Sequence, residues 1–376
     1  MDCRLVDSFD ELQRYEPEWD RLAVECGKPT CRPAWLRAWW SASCPPADRE
    51  SRALRVVVVT EGERLLALFP GFLIDRHSRF PDLNLVGAAN FWAAEPLVSN
   101  EAPPETFALF AHALGESSPL PARLVLRWVS AQADWPQELR RQWPRRPASL
   151  RRSQRAKLLL VNGPMSSETW LAGLPRHRRA ELLRLERRRA EAGLEVACTD
   201  TPSAVRADVH ALFHHARSKW RSPWLSDRLE DAIVEAGRSL ITSGDFRLWK
   251  IVSGEELIAG ALFARGGDAS EALFTAFDPA WSALGPGLGV FIAAIRGELD
   301  TGVRVIDFGF AEYKYLQRLS NAEQPIVRYE LFPTNLSMPI ARARWLRAHT
   351  RERVDMWRGQ LQIRTRLRAL RDRNPS

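Results

Sequence analysis

A glycine-rich turn stands directly in front of an apolar segment in the second half of the chain, within WSALGPGLGVFIAAI from Trp281 to Ile295. Glycines let backbone amides approach a ligand closely because no Cβ stands in the way. The apolar run has the pattern of a helix, whose first turn carries unpaired N–H groups and a partial positive charge. Helix starts of this kind bind phosphate groups. The turn indicates either a phosphate-binding loop or a proline-initiated helix without a ligand.

The spacing of these glycines departs from the two commonest nucleotide-binding motifs. Gly285 and Gly287 are followed by Gly289, which misplaces the third glycine of GxGxxG. A DPAW turn also separates the preceding strand from the loop. The Gly-Lys-Ser/Thr ending of a Walker A loop is absent. The pattern therefore argues against a dinucleotide or Walker A site, although Asp307 closes the next strand about twenty residues on, as in a dinucleotide fold.

Neither the histidines nor the cysteines have the spacing of a metal site. His210 and His214 share one face of a predicted helix, but no HExxH glutamate and no third ligand accompany them. The five cysteines are scattered without a CxxC pair, which favours reduced thiols. We therefore expect no metal. His214 either lines a groove for an acceptor or packs as an ordinary helix residue.

The glycine turn and the segment after it resemble a known family. Ser282, Gly285 and Gly287 lie at the positions of a Q/R-x-x-G-x-G/A loop, which holds the pyrophosphate of acyl-CoA in the GNAT superfamily of acyltransferases. The block GPGLGVFIAAIRGELDTGVRVIDFGFAEYKY resembles the CelD-like branch, which is linked to polysaccharide biosynthesis and distantly similar to Fem-type peptidoglycan transferases. The resemblance covers roughly residues 5–335, more weakly in the first half. It implies an α/β (α+β) fold of tandem GNAT-like domains with acetyl-CoA or another acyl-CoA as co-substrate.

The resemblance also implies roles for single residues. The cofactor-binding residues would be Ser282, Gly285, Gly287, Leu288 and Gly289, with Ser282 standing where the family carries Gln or Arg. Tyr313 would be the acid that protonates the leaving thiolate, with Tyr315 as the alternative. Glu312 would relay a proton from the amine or form an ion pair with Lys314. Asp307 would orient the substrate or cap its strand.

An arginine-rich helix is predicted from RHRRAELLRLERRRAEAG, which begins at Arg176. Its alternation of arginine and leucine is typical of an amphipathic helix with a solvated basic face. The alternative is that Arg176, Arg178 and Arg179 bind an anionic acceptor or the 3′-phosphate of CoA. Both interpretations are open.

The elements that must position these residues occur twice. LRVVVVTEGERLLALF from Leu54 and FRLWKIVSGEELIAGA from Phe246 align without a gap, and each predicts a strand, a tight turn and a second strand. In each half, Pro and Trp-Leu stand ahead of a helical pattern that precedes the hairpin. We expect a duplicated α/β unit with mixed sheets flanked by helices. We predict two domains and a tail. Residues 1–163 form a degenerate GNAT-like domain that is either the acceptor side or structural. Residues 164–335 form the domain with the acyl-CoA site, and residues 336–376 form a basic helical tail.

Bulk composition narrows the classes of protein. The 376 residues are 45% hydrophobic and 27% charged, which is typical of a folded protein. The net charge of +8 allows contact with nucleic acid or a membrane surface, but nearly all of it is arginine, so we expect no sequence-specific nucleic-acid binding. The sequence predicts no transmembrane segment and no signal peptide, which favours the cytoplasm.

Three functions are open from the sequence. The first is transfer of an acyl group from acyl-CoA to an amine or hydroxyl of a glycan precursor. The second is an aminoacyl-tRNA-dependent transferase of the Fem type, although no long antiparallel helical arm is evident between the halves. The third is a non-catalytic scaffold for polysaccharide assembly, favoured by Ser282 and by the lack of an obvious base.

Overall fold

The structure is a computed structural model that describes residues 1–44, 48, 50–78, 80–88, 94–144, 147–161, 165–219, 225–309, 314–333 and 343. Thirteen strands in these ranges form one mixed sheet. The strands are β1 (Asp2–Val6), β2 (Arg52–Glu61), β3 (Arg64–Ile74), β4 (Asp82–Leu85), β5 (Leu97–Val98), β6 (Arg123–Ser130), β7 (Ala148–Val161), β8 (Glu195–Cys198), β9 (Phe246–Ser253), β10 (Glu256–Gly266), β11 (Ala269–Phe277), β12 (Val305–Asp307) and β13 (Ala322–Phe332).

Helices cover both faces of this sheet. They are α1 (Phe9–Leu12), α2 (Glu16–Glu25), α3 (Pro33–Ser43), α4 (Thr106–Gly115), α5 (Trp135–Gln142), α6 (Ser167–Gly173), α7 (Arg176–Glu191), α8 (Pro202–Lys219), α9 (Asp227–Leu240), α10 (Pro286–Asp300) and α11 (Lys314–Gln317). The sequence predicts one helix over 167–192, which is wrong at Leu174 and Pro175. Pro175 has no amide to donate and disfavours helical backbone at the residue before it, so the chain breaks into α6 and α7 there.

The strand order is the same when it is read from either edge of the sheet. Along the main path it runs β1-β2-β3-β4-β6-β13-β7-β12-β11-β10-β9-β8. From each edge come an antiparallel edge strand, the predicted hairpin, an antiparallel strand and then one parallel pair, β4 with β6 or β11 with β12. The duplication predicted from the repeated hairpin is confirmed.

The two halves exchange strands at the centre of the sheet. β7 precedes the second half in the chain, yet it pairs with β12 and β13. β13 ends the second half, yet its other neighbour is β6 of the first. Each half therefore lends a strand to the other. The predicted boundary at 163/164 follows β7 directly, so a cut there would separate β7 from its partners.

The hydrophobic core joins the halves as well. The larger buried cluster contains side chains from β2, β3 and α3 together with side chains from α8, α9 and β9. Trp35 of α3 is fully buried and stacks on Phe246 of β9, with ring centroids 6.0 Å apart. A second cluster lies between α10 and the second half of the sheet. Burial of this apolar area is the main favourable term for the packing of one half on the other.

α10 is held against β9 by an unusually close contact. Trp249 of β9 donates a hydrogen bond to Glu298, with Nε1 and Oε1 2.9 Å apart. Its ring lies on the backbone of Gly297, where an added Cβ would be 1.9 Å from Trp249 Cη2. Only glycine leaves room for this ring.

We expect Gly297→Ala to destabilise the protein by about 1–3 kcal/mol, because overpacking outweighs the gain of roughly 1 kcal/mol from replacing a helical glycine. Urea unfolding measures the change. Gly173→Ala is the control, since an added Cβ at Gly173 of α6 meets no atom within 4 Å. Equal stability of the two variants would contradict the proposed packing constraint.

Three features of the sequence lie partly or wholly outside the described residues. The basic tail, 336–376, falls there except for residue 343, and Glu312 and Tyr313 fall there entirely. Within the described ranges, no helix combines the length and the apolar character needed to cross a bilayer.

Candidate acyl-donor and acceptor site

The glycine turn lies between the end of β11 and the first turn of α10. Residues Pro279–Leu284 form a 3-10 helix, and Gly285 ends it with φ +58° and ψ +48°. This left-handed backbone is costly for a residue with a Cβ, which explains the glycine. The Gly285 amide donates to Ser282 O at 3.1 Å, and α10 begins at Pro286. The predicted turn and proline-initiated helix are therefore both present.

Two of the predicted phosphate-binding amides have no hydrogen-bond acceptor among the described residues. The Gly289 amide donates to Gly285 O at 3.0 Å as the first hydrogen bond of the helix. Within the described part of the chain, the amides of Gly287 and Leu288 donate to no acceptor. They belong to the first turn of a 15-residue helix, where the peptide dipoles add a partial positive charge.

Phe277 joins the end of β11 to this helix start. A Cβ at Gly287 would lie 2.8 Å from Phe277 Cδ1, so the ring packs directly on the helix backbone. The ammonium of Lys219, the last residue of α8, lies 4.7 Å from the centroid of the same ring. Burial lowers the pKa of Lys219. Lys219 thus places a cation beside the first turn of α10.

β11 and β12 separate after a short parallel pairing. Ala269–Glu271 pair with Val305–Asp307. Beyond Asp307 the chain bonds to β7 instead, since Phe308 N donates to Leu158 O at 2.8 Å. β11 continues toward Phe277 and the glycine turn with β10 as its only strand partner among the described residues. β11 and β12 therefore diverge beyond Glu271 and Asp307, and these two residues mark the apex of the split between the strands.

A buried cluster of charged side chains lies at this apex. Glu271 and Asp307 are directly paired and so project from the same side of the sheet. Lys157 of β7 is 7% exposed, and its Nζ donates to Asp307 Oδ2 at 2.5 Å. Asp307 Oδ1 accepts from the Gly309 amide at 2.7 Å. Asp307 is thereby held in place on both oxygens.

The cluster shifts the pKa values of its members in opposite senses. Burial raises the pKa of Glu271; Lys157 lowers it, but the nearby Asp307 raises it further, and the net shift is upward. Burial lowers the pKa of Lys157, but the charges of Asp307 and Glu271 outweigh it and leave that pKa raised. Glu271 is thus a carboxyl group that holds its proton to higher pH than an ordinary glutamate, which suits a general base.

The first half completes the cluster. Thr30, in the turn between α2 and α3, donates its hydroxyl to Glu271 Oε2 at 2.5 Å. Lys28 forms an ion pair with Glu95, with Nζ and Oε2 2.6 Å apart. Burial raises the pKa of Glu95, but Lys28 outweighs it and leaves the value lowered. Groups from both halves therefore face the apex of the split.

The other predicted residues lie at varied distances from this site. Ser282 is exposed on the 3-10 helix, and Tyr315 packs edge-to-face on Phe291. His214 is exposed on α8, 5.8 Å from the His215 ring. Arg176 and Arg179 begin α7, roughly 15–20 Å along the helix from Arg189, which contacts the glycine turn near the other end. Their roles in substrate binding stay predictions, as do those of Glu312 and Tyr313.

The histidines of α8 have partners of a structural kind. His210 Nδ1 lies 2.8 Å from Glu230 Oε1, and His215 Nε2 lies 2.7 Å from Leu257 O. Among the described residues, no three His, Cys, Asp or Glu side chains come together as a metal site would require.

Sequence reasoning missed Glu271, Lys157 and Lys219. Glu271 occurs in EALFTAF, where a single charge in a strand resembles a solvent-facing position. One signal was available. The chain has only five lysines, and Lys157 stands directly before the apolar run LLLV. A lysine in such a buried segment is rarely found without an ion-pair partner.

Comparisons with known proteins agree with this geometry. Residues 176–316 match the family model described as "Acetyltransferase (GNAT) domain". No curated protein matches the chain. Among solved structures, FemX is similar over 90% of this chain and 98% of its own, with 10% identity and a TM-score of 0.59. A conserved protein of unknown function from Bacteroides thetaiotaomicron VPI-5482 is similar over 88% of this chain and 100% of its own, with 9% identity and a TM-score of 0.52.

Structural similarity at sequence identities of 9% and 10% shows a shared fold and does not show a shared function. The second half of the chain is similar to GNAT acetyltransferase domains, and the family match spans the glycine turn, α10 and the apex residues Glu271 and Asp307. The predicted α/β fold of tandem GNAT-like units is confirmed.

Proposed function

We propose that the chain is an acyltransferase that moves an acyl group from acyl-CoA to a primary amine. One observation carries the proposal: free helix-start amides lie at one end of β11, and a buried acid–base cluster lies at the other. Glu271 and Phe277 are six residues apart, or roughly 20 Å along a strand. This is about the length of an extended pantetheine arm. A donor held by its diphosphate at α10 would therefore present its thioester near Glu271.

The residues at the glycine turn fit a diphosphate. The amides of Gly287 and Leu288 and the helix dipole favour an anion, and Lys219 adds a cation nearby. Ser282 supplies no charge, in contrast to the Gln or Arg of the family loop. We infer that the diphosphate is held mainly by backbone.

The reaction needs one base and one leaving group. The amine nitrogen attacks the thioester carbonyl, an N–C bond forms, and the C–S bond breaks. Glu271 takes the proton that the nitrogen loses, and the thiolate leaves and is protonated. Asp307, fixed by Lys157 and Gly309, keeps the pKa of Glu271 raised through its charge. Tyr313 stays the predicted acid for the thiolate.

The charge of the cluster favours an amine over a hydroxyl acceptor. With all five groups ionised, Lys28 and Lys157 carry two positive charges, while Glu95, Glu271 and Asp307 carry three negative ones. The sum of −1 attracts an acceptor in its ammonium form, which loses one proton to solvent before the neutral amine attacks and loses a second proton to Glu271. That the amine belongs to a cell-surface glycan precursor rests only on the CelD-like resemblance.

Removing one amide tests the donor site. We expect Leu288→Pro to weaken CoA binding about tenfold, because proline cannot donate to a phosphate and also disfavours the helical backbone of Gly287, which carries the other amide of the site. Leu288→Ala keeps the amide and is the control for the lost side chain. Isothermal titration calorimetry with CoA measures both. Absence of CoA binding by the wild type, or equal affinity of the two variants, would contradict the donor site.

Two further assays, CoA release and binding of charged tRNA, separate the alternative donors. Release of free CoA in the presence of amines supports the proposal. Binding of charged tRNA that persists at physiological salt, without CoA binding, would instead favour a Fem-type donor, because non-specific electrostatic binding fades as salt rises. If the protein neither releases CoA nor binds charged tRNA, the function that remains is the non-catalytic scaffold.

A further inference from the structure

The C-terminal half of α7 packs against the glycine turn. The methyl groups of Leu185 lie 3.9 Å from where a Cβ on Gly285 would stand. One helical turn later, Arg189 Nη1 donates to the carbonyl of Leu284 at 3.4 Å. Leu185 and Arg189 are four residues apart, so they lie on the same face of α7.

Arg189 is buried without a carboxylate partner in the part of the chain that the structure describes. It is 7% exposed, and its hydrogen bond to Leu284 O is long. The nearest acid, Glu186, is engaged by Arg296, with Oε1 and Nη1 3.1 Å apart. Burial lowers the pKa of Arg189. A charge removed from water in this way costs free energy unless an anion faces it.

Gly289 is explained by this arginine. Its amide is used inside α10 and so is closed to a ligand. A Cβ at Gly289 would lie 2.6 Å from Arg189 Cζ, so glycine lets the guanidinium lie against the first turns of α10 without a shift. The third glycine of GPGLG therefore makes room for a cation from another helix.

Arg189 lies beside a glycine turn that lacks the Gln or Arg side chain of the family loop. The family loop carries Gln or Arg where this chain has Ser282, and Ser282 is exposed with no charge. We propose that Arg189 of α7 supplies the positive charge for the diphosphate of the acyl donor that residue 282 does not supply. The inference rests on the proposed function, since it names a further binding residue of that donor site.

Two ligands distinguish electrostatic help from a merely structural role. CoA carries the diphosphate, whereas pantetheine carries the arm without it. We expect Arg189→Met to weaken CoA binding roughly tenfold, as for loss of one charged partner, and to leave pantetheine binding unchanged. Arg189→Lys keeps the charge and should recover most of the affinity for CoA. The CoA affinity of Arg189→Met should also fall less steeply with added salt than that of the wild type.

Arg296→Met is the matched control. Arg296 lines the same groove of about 360 Å³ as Arg189, but it lies farther along α10 and already has Glu186 as partner. It should bind CoA as the wild type does. Calorimetry gives the affinity for CoA, and ligand-observed NMR gives the weaker binding of pantetheine.

Each outcome bears on a different claim. Unchanged CoA affinity in Arg189→Met, or equal losses for CoA and pantetheine, would overturn the role of Arg189 while leaving the acyltransferase proposal intact. Wild-type protein that binds neither ligand would overturn both. If Arg189→Met does not fold, Arg189→Lys decides: loss of CoA affinity with the charge retained would contradict the inference.

Discussion

Glu271→Gln is expected to lower the rate of acyl transfer by about 10²–10⁴-fold, the usual contribution of a general base. Glutamine keeps the size of the side chain and can still accept the hydroxyl hydrogen bond of Thr30, so the fold should be retained. Steady-state release of CoA with an amine acceptor measures the rate. The affinity for CoA should not change, because the proposed diphosphate site lies at the other end of β11.

The pH profile makes this prediction specific to Glu271. A base works when ionised, so kcat/KM should rise with pH along a limb set by the raised pKa of Glu271, above the ordinary value of 4.5. The limb should vanish in Glu271→Gln. Glu330→Gln is the control, since Glu330 is a fully buried glutamate of the same sheet but lies in β13. Equal rates in wild type and Glu271→Gln would remove Glu271 from the mechanism.

Lys157→Met is expected to destabilise the protein by about 3–5 kcal/mol, the usual cost of removing one partner from a buried ion pair. Asp307 and Glu271 would be left side by side without the lysine. Methionine fills a similar volume, so the loss measures charge and not a cavity. Denaturant unfolding at neutral pH gives the change in free energy.

The pH dependence of this deficit has a definite sign. The raised pKa of Lys157 means that its stabilisation is present below the unfolded value near 10.5 and is lost only as the pH rises through the higher folded value. The deficit of Lys157→Met should therefore be full at neutral pH. It should shrink in acid, where protonation of the two carboxyl groups removes the unpaired charge.

Two further variants complete the test. The double variant Lys157→Met/Asp307→Asn should regain much of the lost stability, because the pair is then removed as a unit. Arg206→Met breaks an exposed pair with Asp231 and should cost less than about 1 kcal/mol. A loss for Lys157→Met no greater than for Arg206→Met would mean that the cluster is hydrated and contributes little.

Local features of the chain follow from the sequence alone. The two hairpins, the helix before each, and the start of α10 at Pro286 follow from turn residues, strand alternation and helix capping. These signals are local because they depend on neighbours within a few residues. The repeat of a helix and hairpin 192 residues apart in turn predicts the duplicated fold. Asp307 was singled out by its place at the end of the strand after α10 and by the resemblance of that block to the CelD-like branch, and its role stays a prediction.

The tertiary structure decided how the halves are joined. β7 contains ASLRRSQRAKLLLV, whose basic first part does not alternate as a half-buried strand would. It is a strand because β13 and β12 pair with it from both sides. Partners supplied by a distant part of the chain leave no periodic signal in the strand that receives them.

The charged cluster at Glu271 and the contact of Arg189 with the glycine turn also depend on the tertiary structure. Thr30 and Glu271 are 241 residues apart in the chain, and Lys157 and Asp307 are 150 apart. By itself the sequence determined the two hairpins, the helix before each of them and the helix start where a phosphate could bind. Only the folded sheet brings Glu271 beside Asp307 and Arg189 against Gly289. The reason is physical: backbone preference depends on adjacent residues, whereas the electrostatic environment of a side chain depends on topology.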